Sequence, residues 1–152
     1  MYEVMILSTV ERINADNYNM FEDMLYWREK GIEREPAQTV SSDEAIRELS
    51  DPNLYVYAVL CEGRYVGWIS LIYMPKVSRV KCGYVYVDEL WVEPSFRRRG
   101  FARMLMAEAE RLRKELNATG MRLYVNVNNP EAMRLYESCG YVQCGQAYFM
   151  EK

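Results

Sequence analysis

The sequence predicts a mixed α/β fold: a central, mostly antiparallel, twisted sheet of six or seven strands flanked by about four helices. Three observations carry that expectation. Two aromatic and β-branched runs meet at Glu62-Gly63, the pattern of a hairpin. An apolar stripe at helical spacing runs through Phe101, Leu105, Ala109, Leu112 and Leu116. Around these, strand-like and helix-like stretches follow in the order β-α-α-β-β-β-α-β-α-β, with room for one more strand at the end.

The elements are justified in turn. "EVMILSTV" (3–10) reads as the first strand. Residues 14–31 carry Met20, Phe21, Met24, Leu25 and Trp27 at mostly helical spacing, closed by Lys30 and Gly31. A loop with Pro36 leads to a short helix, whose Ser41 and Glu44 form a capping-box pattern and which stops before Pro52. The hairpin covers "LYVYAVLCEGRYVGWISLIYM", and a loop with Pro75 and three basic residues precedes the strand "GYVYVDELWV" (83–92). After Pro94 comes the long helix 101–116, then the strand 121–127. A short helix runs from Asn129-Pro130 to about Cys139, stopped by Gly140, and "YVQCGQAYFMEK" supplies one or two final strands. No repeat, low-complexity tract or Ser/Gly linker divides the chain, so residues 1–152 are expected to form one domain.

Composition narrows the chemistry. Half of the 152 residues are hydrophobic, which suits a full core, and the net charge of −3 argues against general nucleic-acid binding. No apolar run approaches the ~20 residues of a membrane span, and the start has no secretory pattern. The expectation is a cytoplasmic protein with Cys61, Cys82, Cys139 and Cys144 as reduced thiols. The chain has no histidine. Ser-His-Asp and Cys-His catalysis and His-ligated metals are thereby excluded, and no metal is expected. Acid–base chemistry falls to Asp, Glu, Tyr, Lys, Cys or water.

Against that acidic background, Arg97, Arg98 and Arg99 stand together before Gly100, between a strand and a helix N-terminus. A helix start exposes unpaired N–H groups and partial positive charge, and glycine allows close approach of a ligand. This is an anion site suited to a phosphate or diphosphate, rather than a solvated basic turn. It is neither a G-K-[ST] phosphate loop nor a G-x-G-x-x-G turn.

"VDELWVEPSFRRRGFARML" resembles motif A of the GNAT N-acetyltransferase superfamily, a strand followed by [Q/R]-x-x-G-x-[G/A] and a helix. Alanine 102 stands where glycine is commoner. "NPEAMRLYESCGY" (129–141) is similar to the family's N-x-x-A-x-x-L-Y-x-x-x-G-[F/Y] segment. The resemblance implies the GNAT fold and acetyl-CoA as acetyl donor. It implies a diphosphate on the amides of 98–103, so that Arg97, Arg98, Arg99, Gly100, Phe101, Ala102 and Arg103 form the cofactor turn. It implies a pantetheine arm along the splayed strand at Leu90, Trp91 and Val92, with Asn129 and Tyr136 reaching the same cavity. It also implies direct acetylation of an amine without an acyl-enzyme, and dimers through the C-terminal strands.

For the chemistry, a backbone N–H near Leu90 can stabilise the thioester oxygen, and Tyr136 is the candidate acid for the leaving thiolate. Tyr136 also belongs to the stripe Ala132, Leu135, Tyr136, Cys139, which fits a plain core face. Strict strand alternation sends Asp88 and Glu89 to opposite faces, Glu89 to the more desolvated one, and leaves Asp88, Glu89 or a water chain open as the base. Tyr26, Trp27 and Glu33 are candidates for holding a small amine, polyamine or peptide amine. A non-catalytic acyl-CoA sensor of the same fold is the alternative; a nucleic-acid partner is not expected.

Overall fold

The computed structural model describes residues 7–77 and 79–152. The chain forms β1 (Ser8–Arg12), α1 (Tyr18–Lys30), α2 (Ser42–Glu48), β2 (Leu54–Cys61), β3 (Arg64–Lys76), β4 (Arg79–Val92), α3 (Phe101–Glu115), β5 (Gly120–Leu123) and α4 (Pro130–Ser138). One five-stranded sheet has the order β1-β2-β3-β4-β5. All pairings are antiparallel except β4 with β5. That parallel pair needs a crossover, which α3 supplies.

Both faces of the sheet are covered, which explains the unbroken apolar run of β2. Tyr57, Val59 and Cys61 join Ile69, Leu71, Val85 and Val87 against Phe101, Leu105, Ala109 and Leu112 of α3. Val56 and Ala58 join Tyr65 and Trp68 against Tyr18, Phe21 and Met24 of α1 and Ala45 of α2. The stripe on α3 is therefore a core stripe. Leu105 and Leu112 are wholly inside, and each such burial contributes roughly 1.5–3 kcal/mol.

Helix ends follow their sequence signals. Gly31 closes α1 in the left-handed region at φ 74°. Ser41 and Glu44 complete the capping box of α2, with Ser41 Oγ accepting from Glu44 N–H and Glu44 accepting from Ser41 N–H.

β1 begins at Ser8 among the described residues, and residues 3–6 of the expected strand lie outside them. The sheet departs from the sequence expectation in three places. The expected loop around Pro75 is part of the β3–β4 ladder: the register shifts between Met74 and Lys76, and the imide falls in that irregularity. The expected strand 121–127 stops at Leu123. Residues 141–152 form no strand, so among the described residues the sheet has five strands rather than six or seven. Val142, Tyr148, Phe149 and Met150 of that segment are exposed, so its apolar pattern finds no sheet face to cover within this chain. Cys61, Cys139 and Cys144 are free thiols, and the side chain of Cys82 lies outside the described residues.

Candidate active site

The site grows from the end of β4. β5 pairs with β4 only from Tyr84↔Gly120 to Val87↔Leu123, while β4 continues to Val92. Among the described residues, the β5 side of β4 has no strand partner from Asp88 onward, which leaves backbone groups open to an amide-bearing chain. A single 3-10 turn (Pro94–Phe96) follows, with Glu93 accepting from Ser95 N–H, and the chain then enters the arginine triplet.

The turn owes its shape to two left-handed residues, Arg98 at φ 61° and Gly100 at φ 84°. Gly100 is the N-cap of α3. No side chain caps that helix and its first turn carries no acid, so its leading amides face outward unpaired. A non-glycine residue in the left-handed region is strained, and here it bends the backbone into an amide nest.

The three arginines do three different things. Arg97 Nε donates to the Val92 carbonyl at 2.9 Å and straps the turn to the strand end. Arg98 borders a cleft. Arg99 stands outside that cleft, its guanidinium 4.9 Å from the centre of the Phe96 ring.

The cleft has a volume of about 290 Å³ and runs from the turn to the unpaired part of β4. Leu90, Trp91 and Val92 form one wall, Arg97, Arg98 and Gly100 with Phe101, Ala102 and Arg103 the floor, and Asn129 and Tyr136 the far wall. Of the residues expected at the cofactor, only Arg99 is absent from this lining. Asn129 is also the N-cap of α4, its Oδ1 accepting from Ala132 N–H at 3.1 Å. Val92 oxygen keeps one lone pair beyond its bond to Arg97. A larger hollow of about 500 Å³ lies between α1 and the loop before α2. Asn19 staples that loop, donating to the Val40 carbonyl and accepting from the Thr39 and Val40 amides. The hollow holds none of the expected residues, and its central polar side chain is spent on the fold.

Tyr136 is half-buried, and burial pushes its hydroxyl above the usual tyrosine range. It stays protonated through neutral pH. Its ring meets Tyr141 at 6.1 Å, and together with Ala132 and Leu135 it lines the cleft while Tyr136 and Cys139 pack on the core. The α4 stripe is thus core and cleft wall at once.

The carboxylates differ from the alternation expected of a flat strand. The β3–β4 register shifts between Ser70 and Leu71, so Ser70 opposes Glu89 and Leu71 opposes Val87, with Asp88 as the extra residue. Asp88 accepts from Ser70 Oγ at 3.5 Å, and Glu89 lies 3.8 Å from Arg28 on α1. The bulge brings both carboxylates to the α1 side of the sheet, and Glu89 is half-exposed beside a cation rather than desolvated. The candidates for holding the amine stand apart from the cleft lining. Tyr26 lies under Arg34, Glu33 pairs with Arg64, and Trp27 packs edge-on against Phe96 at 6.2 Å. Among the described residues no three His, Cys, Asp or Glu side chains gather as a metal site, and no helix is long and apolar enough to cross a membrane.

The model of the acetyltransferase (GNAT) family matches residues 15–141. This chain belongs to that family. Two curated relatives are acetyltransferases by name. It is 32% identical over 72 residues to the chloroplastic GCN5-related N-acetyltransferase 4 of Arabidopsis thaliana, and 35% identical over 69 residues to an acetyltransferase of Agrobacterium fabrum. Each match covers 45% of this chain, and the chain spans 25% and 49% of the lengths of those relatives. Among solved structures, the aminoglycoside N-acetyltransferase AAC(6')-Iy in complex with CoA has a TM-score of 0.77 at 16% identity, covering 100% of this chain and 99% of that one. A transcriptional regulator of Bacillus halodurans has a TM-score of 0.75 at 20% identity, covering 96% and 100%. These likenesses establish the GNAT fold.

The residues of this GNAT chain fit a coenzyme A group. An uncapped helix start with two left-handed residues suits a diphosphate, and the unpaired stretch of β4 suits the amides of a pantetheine arm. Sequence reasoning missed Phe96, Glu131, Ala132 and Leu135 in the cleft. The last two were visible as the stripe that includes Tyr136. It also missed Ser70 and Arg28, which no local signal marks because they approach Glu89 and Asp88 from other elements.

Proposed function

We propose that this GNAT chain is an acetyl-CoA-dependent N-acetyltransferase that moves the acetyl group directly to a primary amine. The observation that carries this reading is the continuous path from the uncapped turn at Arg98–Gly100 to the unpaired end of β4. Bound acetyl-CoA would supply the activated acetyl thioester. The amides of residues 98–103 would hold its diphosphate, with Arg98 adding charge, and Leu90 and Val92 would hold the arm. The Leu90 N–H is the donor for the thioester oxygen. The Tyr136 hydroxyl, kept protonated by its burial, gives its proton to the departing sulfur. Asp88, bonded to buried Ser70 and without an ion pair among the described residues, takes the proton of the amine, while Glu89 is held by Arg28.

Exposed Tyr148, Phe149 and Met150 support association of two copies through the C-terminal segment. The test is acetyl-CoA-dependent release of free thiol over polyamines, amino acids, aminoglycosides and peptides. Turnover of at least one amine class is expected. Tight binding of acetyl-CoA with no turnover on any of them would leave the sensor alternative standing.

A further inference from the structure

The acceptor side of β4 carries a guanidinium with unspent donors. Arg28 projects from the last turn of α1, lies over the Trp68 ring at 5.7 Å and stands 3.8 Å from Glu89. The cation–π contact and the long ion pair fix its place. Among the described residues, none of its five N–H groups is within hydrogen-bonding distance of an acceptor. Several other arginines of the chain are occupied. Arg34 donates to Asp23, Arg64 to Glu33, and Arg122 to the Tyr86 hydroxyl while lying over Tyr84. Arg28 is also half-exposed, with 42% of its side chain open to solvent, so a ligand can reach it.

Its neighbourhood is not an acidic trough. The bulge presents Asp88 and Glu89 together, and Arg28 faces them. Two carboxylates and one guanidinium complement a molecule that carries both an ammonium and an anion. A polycation would gain from the carboxylates and be repelled by Arg28. A planar guanidinium fork matches a carboxylate best, because two parallel N–H groups can meet its two oxygens.

We propose that the acceptor is an amine bearing a carboxylate close to the reacting nitrogen, of the amino-acid class, and that Arg28 is the specificity residue that receives this carboxylate. This rests on the acetyltransferase reading above and narrows its substrate. The ammonium is drawn to Asp88 and Glu89 and loses one proton to Asp88; its second proton, freed as the C–N bond forms and the C–S bond breaks, restores the Tyr136 hydroxyl that protonated the sulfur. The acceptor carboxylate takes up the N–H groups that Arg28 leaves unused.

The experiment compares the common L-amino acids with their matching amides, and with spermidine and kanamycin as polycations, in the thiol-release assay. The wild-type chain, Arg28→Gln and Arg28→Lys are measured side by side, and thermal melting confirms that each variant is folded. The wild-type protein is expected to favour at least one acid over its amide by about tenfold or more in kcat/KM, in line with a charge-assisted bidentate contact. Arg28→Gln should collapse that ratio, mainly through KM for the acid. Arg28→Lys should keep part of it, because charge survives but the fork does not. Comparing ratios between variants cancels the difference in basicity between acid and amide. A second readout is titration calorimetry of the preferred amino acid into the CoA-loaded protein, where Arg28→Gln should weaken binding by a similar factor. Acetylation of amines with no preference for the acid, or a preference that survives Arg28→Gln, overturns this assignment and leaves the acetyltransferase reading intact. A panel with no acetylated amine at all overturns both.

Discussion

The two sides of β4 are built by different means. On the α3 side, the cleft comes from two contiguous stretches, 90–103 and 129–136, and the anion site proposed there is mostly backbone. On the α1 side, the polar groups are side chains: Asp88 and Glu89 from β4, Ser70 from β3 and Arg28 from α1. They meet only because a register shift rotates two successive carboxylates toward the same helix. A site made of amides at a helix start is written in a dozen neighbouring residues and resists side-chain changes. A site assembled across three elements depends on register and can be dismantled one residue at a time.

The largest effect expected lies where the cleft does depend on a side chain. Tyr136→Phe removes the proposed acid while keeping the ring that packs against Tyr141. kcat should fall by about 10²–10⁴-fold, the usual contribution of a positioned acid. Affinity for CoA should change little, because the amides of 98–103 are untouched. The pH profile gives a second check. Burial raises the Tyr136 hydroxyl above its ordinary value near 10, so the acid form persists through neutral and mildly alkaline pH. The rate is lost only as pH climbs past that raised value, and this alkaline limb should vanish in the phenylalanine variant. Full turnover in Tyr136→Phe would reduce the α4 stripe to a core face.

On the α1 side the bulge makes an asymmetric prediction. Asp88→Asn should lower kcat/KM by about 10²-fold, the lower end for a general base. Glu89→Gln should cost only a few-fold, since that carboxylate serves Arg28. Equal losses in the two variants would mean that they act as one unit, and the reverse order would move the base to Glu89.

Legibility in the sequence followed the same division. Gly100, the triplet and the stripe from Phe101 to Leu112 marked the turn and the helix from local pattern alone. Asn129 and Tyr136 reached the same cleft because their motif lies on one short helix. The alternation rule failed at Asp88-Glu89, since a bulge adds one residue and nothing in "VDELW" announces it. Glu33 and Tyr26 looked available as polar and aromatic groups, yet Arg64 and Arg34 occupy them, and those partners come from a later hairpin and from the loop beyond α1. The tail "YVQCGQAYFMEK" has strand-like composition but pairs with no strand among the described residues, so pattern alone overcounted the sheet.

The smallest effects separate the three arginines, which composition alone treats as equivalent. Arg98→Gln removes charge from the cleft and should weaken CoA several-fold, more steeply at low salt because the contact is partly screened. Arg97→Gln should leave CoA affinity nearer to wild type but destabilise the fold. It deletes the bond to the Val92 carbonyl, worth about 1 kcal/mol, and Tm should drop by about 2–4 °C. Arg99→Gln loses only its position over Phe96, about 0.5–1 kcal/mol at an exposed site, with the least change in CoA binding. Calorimetric CoA titrations and melting curves on the three variants read both axes at once. If all three weaken CoA equally, the triplet acts as a diffuse positive patch. If Arg98 alone stands out, the amides set the geometry and a single guanidinium supplements them, as a backbone-built anion site requires.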